Sequence, residues 1–214
     1  MAYGLRPFFA RRPDVSAPID FYFDFASPYS YVASHLLEQI AERHQRAVIW
    51  HPLVIGYAFK AVGGAALPSL PMRHDYVDRD IARLARYLKL PYRQPSHHAI
   101  PTHHAAHAFL WGQDRDPDRA RGFANRVFAA YFTEDRNIGD VEVVLDIIES
   151  FDFGRVEASA AITSPAMKER LKAETEVAIS RGVFGVPFAI VGGEPFWGYS
   201  RLNLLEKWIA EGPF

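Results

Sequence analysis

Seven residues near the start, 19–25 (IDFYFDF), alternate apolar Ile19, Phe21, Phe23 and Phe25 with Asp20, Tyr22 and Asp24. Alternation of aromatic and β-branched residues with polar ones predicts a strand with one buried face. Ser27-Pro28 follows at once. A hydroxyl residue before a proline is the signature of a helix start, because the hydroxyl caps the first turn and proline has no N–H to leave unpaired. Ala33, Leu37, Ile40 and Ala41 then recur at helical spacing, and 47–50 (AVIW) reads as a second short strand. Strand, helix and strand at this length predict a βαβ unit, whose two strands run parallel.

The character then changes. From residue 73 to about 181 the apolar residues fall at helical spacing: Val77, Ile81, Leu84 and Leu88; then Ala120, Phe123, Ala124, Val127, Phe128 and Tyr131; then Val141, Val144, Leu145 and Ile148, with Asp140 as cap. Ser164-Pro165 repeats the cap-and-proline start and opens a helix through Met167, Leu171 and Ala178. Strand signals return at 188–191 (FAIV), where Gly192-Gly193 predicts a hairpin turn to 194–197. Leu202, Leu205 and Ile209 close the pattern as an amphipathic helix. The expected fold is α/β, a βαβ…ββα core interrupted by a large all-helical insertion. The expected division is an N-terminal arm at 1–18, a core of 19–71 with 182–214, and a helical insertion at 72–181.

Composition narrows the function. With 49% hydrophobic and 23% charged residues, the 214-residue chain has the profile of a globular protein. A formal net charge of −1 lacks the basic surplus that nucleic-acid binding needs. No apolar run is long enough to span a bilayer. The start carries Arg6, Arg11 and Arg12 without an apolar segment behind them, so no signal peptide is expected and a cytoplasmic location follows by default. There is no cysteine, which removes dithiol chemistry and thiolate metal ligation by the chain's own side chains.

Two junctions carry candidate chemistry. Ser27 stands at the carboxyl end of a predicted strand and the N-terminus of a helix, a place suited to an anion. A capping hydroxyl accepts a hydrogen bond and keeps its proton to donate, so Ser27 can cap the helix and also stabilise a bound thiolate. Val186-Pro187 leads into the third strand. A cis bond there would leave the Val186 backbone free to pair with a peptide-like ligand; an ordinary strand-edge proline is the commoner alternative. His97, His98, His103, His104 and His107 form a histidine-rich patch in which His103 and His107 share a helical face. No acidic third ligand lies nearby, so pocket or helix-end histidines are expected and no metal. Arg73, Arg79, Arg83 and Arg86, interleaved with Asp75, Asp78 and Asp80, read first as a solvated, salt-bridged face.

Three segments resemble one family in order: 20–33 (DFYFDFASPYSYVA), 51–64 (HPLVIGYAFKAVGG) and 183–206 (VFGVPFAIVGGEPFWGYSRLNLLE). The family is that of the glutathione-dependent 2-hydroxychromene-2-carboxylate isomerases and, more distantly, the kappa-class glutathione transferases, with a DsbA-like thioredoxin fold. The resemblance implies glutathione as cofactor, a small aromatic substrate of aromatic degradation, a homodimer, and cis-trans isomerisation by reversible thiolate addition. It assigns Ser27 to the thiolate, Val186 and Pro187, with the bond between them expected cis, to the cysteinyl backbone of glutathione, and Ser200 and Arg201 to its γ-glutamyl end. Lys60 and Trp197 would be pocket neighbours, and Tyr29, His51, Phe59 and Arg73 would face the substrate. Tyr31 and Trp111 are further aromatic candidates. The chain departs from the family at Ser200, often acidic there, and at His51, often arginine. Two alternatives stand beside the isomerase: a kappa-type transferase that releases a glutathione adduct, and a catalytically silent binding module in which Ser27 is only a cap.

Overall fold

A computed structural model of the protein describes residues 17–54, 56, 71–98 and 100–214. Strand β1 (Ile19–Phe23) is followed by helix α1 (Pro28–His44) and strand β2 (Val48–Pro52). Among the described residues further α-helices follow: α2 (Pro71–Leu88), α3 (His103–Gln113), α4 (Pro117–Phe132), α5 (Val141–Glu149), α6 (Arg155–Ile162), α7 (Pro165–Ser180) and, after strands β3 (Phe188–Val191) and β4 (Glu194–Trp197), α8 (Leu202–Glu211). The sheet order is β2-β1-β3-β4, with β1 parallel to β2 and antiparallel to β3, and β3 antiparallel to β4. This is a thioredoxin-like core, and everything described between β2 and β3 is helix or connection.

The caps read from sequence are in place. Ser27 accepts from the Ser30 N–H at 3.1 Å, Asp140 from the Glu142 N–H at 3.0 Å, and Ser164 from the Met167 N–H at 3.2 Å. Gly192 and Gly193 have φ of 58° and 89°, the left-handed backbone that a two-residue hairpin turn demands and that glycine adopts without strain. Strand β1 stops at Phe23 rather than Phe25, because Asp24 turns the chain: its carbonyl accepts from the Ser27 N–H at 3.0 Å.

Both faces of the sheet are covered. Phe21, Phe23 and Trp50 point to one face and meet Leu37 and Ile40 of α1, Phe109 of α3 and Phe128 of α4 in one buried cluster. Phe23 is its hub, with ring centroids 5.3 Å from Phe21, 5.2 Å from Trp50 and 5.7 Å from both Phe109 and Phe128. The first strand therefore packs on the helical segment directly. On the opposite face Tyr22, Phe188 and Ile190 pack with Leu53, Ala178 and Val183 in a second, smaller cluster. Tyr31 and Trp111, 1% and 5% exposed, belong to the core and not to a site. Among the described residues no helix is long and apolar enough to cross a membrane.

Candidate functional site

At the carboxyl end of β1 the chain turns through Asp24, Ala26 and Ser27 into α1. Ser27 is half-buried and caps the helix, with Pro28 in the first turn. Its oxygen accepts the Ser30 N–H, so the hydroxyl proton remains available to a ligand. Two residues on, Tyr29 enters an open cavity of about 740 Å³ that Val186, Pro187, Trp197, Ser200 and Arg201 also line. Six residues assigned from sequence thus meet in one cavity. Ser27 flanks it without lining it.

The wall opposite α1 is built from β4 and the loop before β3. The Val186-Pro187 bond is cis, as the sequence reading expected. The Pro187 carbonyl accepts the Gly198 N–H at 2.9 Å, which pins this loop to the turn of 3-10 helix, Tyr199–Arg201, that leads into α8. Among the described residues Val186 makes no backbone hydrogen bond. Trp197 is 56% exposed and leans edge-on against Phe184, with centroids 4.9 Å apart. Its position requires glycine at 185, where a Cβ would stand 2.8 Å from the indole Nε1. Ser200 and Arg201 are exposed, and the Arg201 guanidinium reaches Ser200 Oγ at 3.5 Å but has no carboxylate partner among the described residues.

Tyr76, Asp80 and Tyr199 are among the further lining residues that were not assigned to the cavity from sequence. The Tyr29 ring stacks on Tyr199 at 5.5 Å with 5° between the planes. Its hydroxyl donates to Asp80 Oδ2 at 2.9 Å, while Arg83 donates to Asp80 Oδ1 at 2.6 Å. Asp80 does share a salt-bridged face with Arg83, but it also forms part of the cavity wall with Tyr76. Burial and then the bond to Asp80 push the Tyr29 phenol well above its ordinary pKa, so it stays protonated.

His51 is placed elsewhere. Its Nε2 meets Asp20 Oδ1 at 2.9 Å and its ring stacks on Tyr22 at 4.6 Å, on the face of the sheet that α7 covers. Arg181 donates to the same Asp20 at 2.6 Å. Burial raises the Asp20 carboxyl, and the bonds from His51 and Arg181 more than offset that, leaving it below its ordinary value. Strand alternation accounts for the location, because His51 pairs with Tyr22 in register and shares its face. Arg73 stands in the first turn of α2, and Phe59 and Lys60 lie outside the described residues. In the histidine patch the His103 and His104 rings lie 4.1 Å apart, and His107 Nδ1 meets the Ile162 carbonyl at 2.7 Å. No group of three metal-ligating side chains is arranged to hold an ion among the described residues.

A βαβ…ββα core, a capping serine at the first strand-to-helix junction and a cis-proline before β3 agree with what comparison with known proteins finds. The family model of the DsbA-like thioredoxin domain matches residues 18–210. The chain belongs to the DsbA-like thioredoxin family. Within it the chain is 30% identical over 200 residues to a 2-hydroxychromene-2-carboxylate isomerase of Pseudomonas sp. (strain C18), covering 91% of each chain. A solved structure of a 2-hydroxychromene-2-carboxylate isomerase superposes with a TM-score of 0.80 at 29% identity, covering 90% of this chain and 94% of the other. The human glutathione S-transferase kappa 1 is 23% identical over 212 residues, covering 91% of this chain and 94% of its own.

Proposed function

We propose that the protein is a glutathione-dependent cis-trans isomerase of 2-hydroxychromene-2-carboxylate-type intermediates in aromatic degradation. The observation that carries this reading is one cavity lined by the Val186 backbone beside a cis-proline and by Arg201, which has no carboxylate partner among the described residues, next to the capping hydroxyl of Ser27, in a chain whose relatives include isomerases of that name. The donor set fits glutathione. The Val186 backbone offers an N–H and a C=O to the cysteinyl residue, as a short β-pairing. Arg201 offers a cation to the γ-glutamyl carboxylate, at the start of the last helix. The cavity is open and partly aromatic, which suits a small aryl substrate beside the tripeptide.

Glutathione held there would supply a thiolate nucleophile, the chemistry that reversible addition to a conjugated double bond needs for cis-trans isomerisation. The chain's own residues orient and stabilise. Ser27 donates its hydroxyl proton in a hydrogen bond to the sulfur and holds it at the α1 N-terminus, where the helix dipole favours negative charge. Trp197 and the Tyr29–Tyr199 stack present flat apolar faces to the substrate ring. The missing cysteines agree with this scheme, since the sulfur comes from the cofactor.

Calorimetry with glutathione, followed by a spectroscopic isomerase assay, tests the reading. Glutathione should bind, the substrate should convert, and free glutathione should be fully recovered. Absence of binding would reject the proposal and leave a silent module. The kappa 1 relative supports a second reading, conjugation of glutathione to an electrophile, and consumption of glutathione with release of an adduct would favour it. We further propose a cytoplasmic homodimer, tested by cell fractionation and sedimentation, and a division into a core of 19–71 with 182–214 and a helical unit of 72–181.

A further inference from the structure

Asp24 is 3% exposed, a carboxylate three residues before Ser27 in the turn that delivers Ser27 to α1. Buried carboxylates are rare because removing the charge from water is costly, so they are found where hydrogen bonds hold them. Here Oδ1 accepts from the Ala26 N–H at 2.9 Å, closing an Asx-turn, and from the Thr102 hydroxyl at 2.9 Å. The Asp24 carbonyl accepts from the Ser27 N–H at 3.0 Å. One residue therefore sets the backbone on both sides of Ala26 and the amide of Ser27 itself.

Thr102 makes the arrangement long-range. It is 3% exposed and stands immediately before α3, where threonine ordinarily caps the helix. It makes no side-chain cap bond. Its hydroxyl proton goes to Asp24, across a sequence separation of 78 residues. The side chain at this helix start is thus bonded to the turn that carries Ser27 and not to its own helix. Packing alone does not require this, since Phe23, Phe25, Phe109 and Phe128 already join β1 to the helical segment.

We infer that Asp24 is a positioning residue: gripped by Thr102 of the helical segment, its carboxylate fixes the β1–α1 turn so that the Ser27 hydroxyl points at the bound sulfur. This rests on the glutathione reading above. The expectation is a specific kinetic signature. Removing the grip leaves Val186 and Arg201 untouched, so glutathione still binds. It loosens Ser27, so turnover falls. A misplacement of about 1 Å at a reacting centre costs up to about 100-fold, and a loss of about tenfold or more in kcat is expected.

The test is Thr102→Val, which keeps the shape and removes the hydroxyl, with Thr102→Ser to restore it. Glutathione affinity, kcat and KM for 2-hydroxychromene-2-carboxylate, and Tm are measured for each, and Thr102→Ala replaces Thr102→Val should the valine variant not fold. The expected result is unchanged glutathione affinity, a fall in kcat, and recovery in Thr102→Ser. In a Ser27→Ala background the same Thr102 substitution should cost nothing further in kcat, because residues acting through one another are non-additive. A lowered Tm with unchanged kcat, or a full extra loss in the Ser27→Ala background, would overturn the inference. A wild-type enzyme that neither binds glutathione nor turns over would instead overturn the functional reading.

Discussion

Replacing Ser27 by alanine separates two ways in which its hydroxyl can act. In the structure Ser27 Oγ accepts the Ser30 N–H and keeps a proton for a ligand. Loss of the cap costs about 1 kcal/mol of stability, which leaves a folded protein to assay. Consider a bound thiol whose pKa falls from about 8.5 to about 6.5, within the range of activated thiols. At pH 7 its thiolate fraction rises from about 3% to about 75%, a gain of about 25-fold. Nucleophilicity falls with pKa along a Brønsted slope of about 0.4–0.5, so each thiolate reacts about 6–10 times more slowly. The net gain is about 2.5–4-fold, a small term. Holding the sulfur in line with the alkene must supply more. Ser27→Ala is therefore expected to lose well over tenfold in kcat at pH 7, and most of the loss should persist at pH 9, where the thiol ionises without help. Full recovery at pH 9 would refute the orientation argument. Normal activity at both values would reduce Ser27 to a helix cap.

Other expectations follow from the same geometry. Arg201→Ala should weaken glutathione binding by about 1–3 kcal/mol, about 5- to 150-fold, because the guanidinium has no carboxylate partner among the described residues and lines the cavity; an unchanged calorimetric Kd would move the γ-glutamyl end elsewhere. Ser30 is fully buried and its hydroxyl has no partner among the described residues, so Ser30→Ala should stabilise the fold by about 1 kcal/mol, read as a higher Tm, and a fall in Tm would show that the hydroxyl is bonded in solution. Burial lowers the pKa of His35, His103, His104 and His107 below the ordinary 6.5. The unfolded chain then binds protons first, so the stability these neutral rings contribute is complete above pH 6.5 and is lost as pH falls from there through their folded values. Thermal melts should show Tm declining below about pH 6.5, before Asp20 and Glu206 contribute near pH 4; a flat Tm from pH 8 to pH 5 would contradict it.

Much of the fold is local chemistry and was readable for that reason. Ser27-Pro28, Ser164-Pro165 and Gly192-Gly193 act on their own backbone within three residues, and each does in the structure what its residue types require. Helices without such marks were not delimited. α3 (HHAAHAFLWGQ) is buried on nearly every side from Ala105 to Gly112, so it has no polar stripe to reveal a period. α6 begins after Gly154 with no side-chain cap and buries only Ala158 and Ile162. The end of β1 was misjudged by two residues because Phe25 keeps the alternating pattern and is 1% exposed, although the Asp24 turn has already taken it out of the ladder. Hydrophobic pattern reports burial, and burial outlasts the strand.

The site divides along the same line. Tyr29, Val186, Pro187, Trp197, Ser200 and Arg201 sit in short motifs at element ends, and the core topology brings those ends together around the cavity. His51 was assigned to that cavity with no regard to strand face. In the ladder it stands opposite Tyr22, and a residue one place away would have faced the other way. Asp80 was read as one charge among alternating charges because nothing within its helix distinguishes it from Asp75 or Asp78. What distinguishes it is a tyrosine hydroxyl 51 residues away, and that contact exists only once α2 has packed beside α1. Thr102 and Asp24 form the same kind of pair across 78 residues. Each member satisfies a rule of its own neighbourhood, a carboxylate in a turn and a hydroxyl before a helix. The bond between them is a property of the tertiary fold, and it joins the helical segment to the turn that carries Ser27.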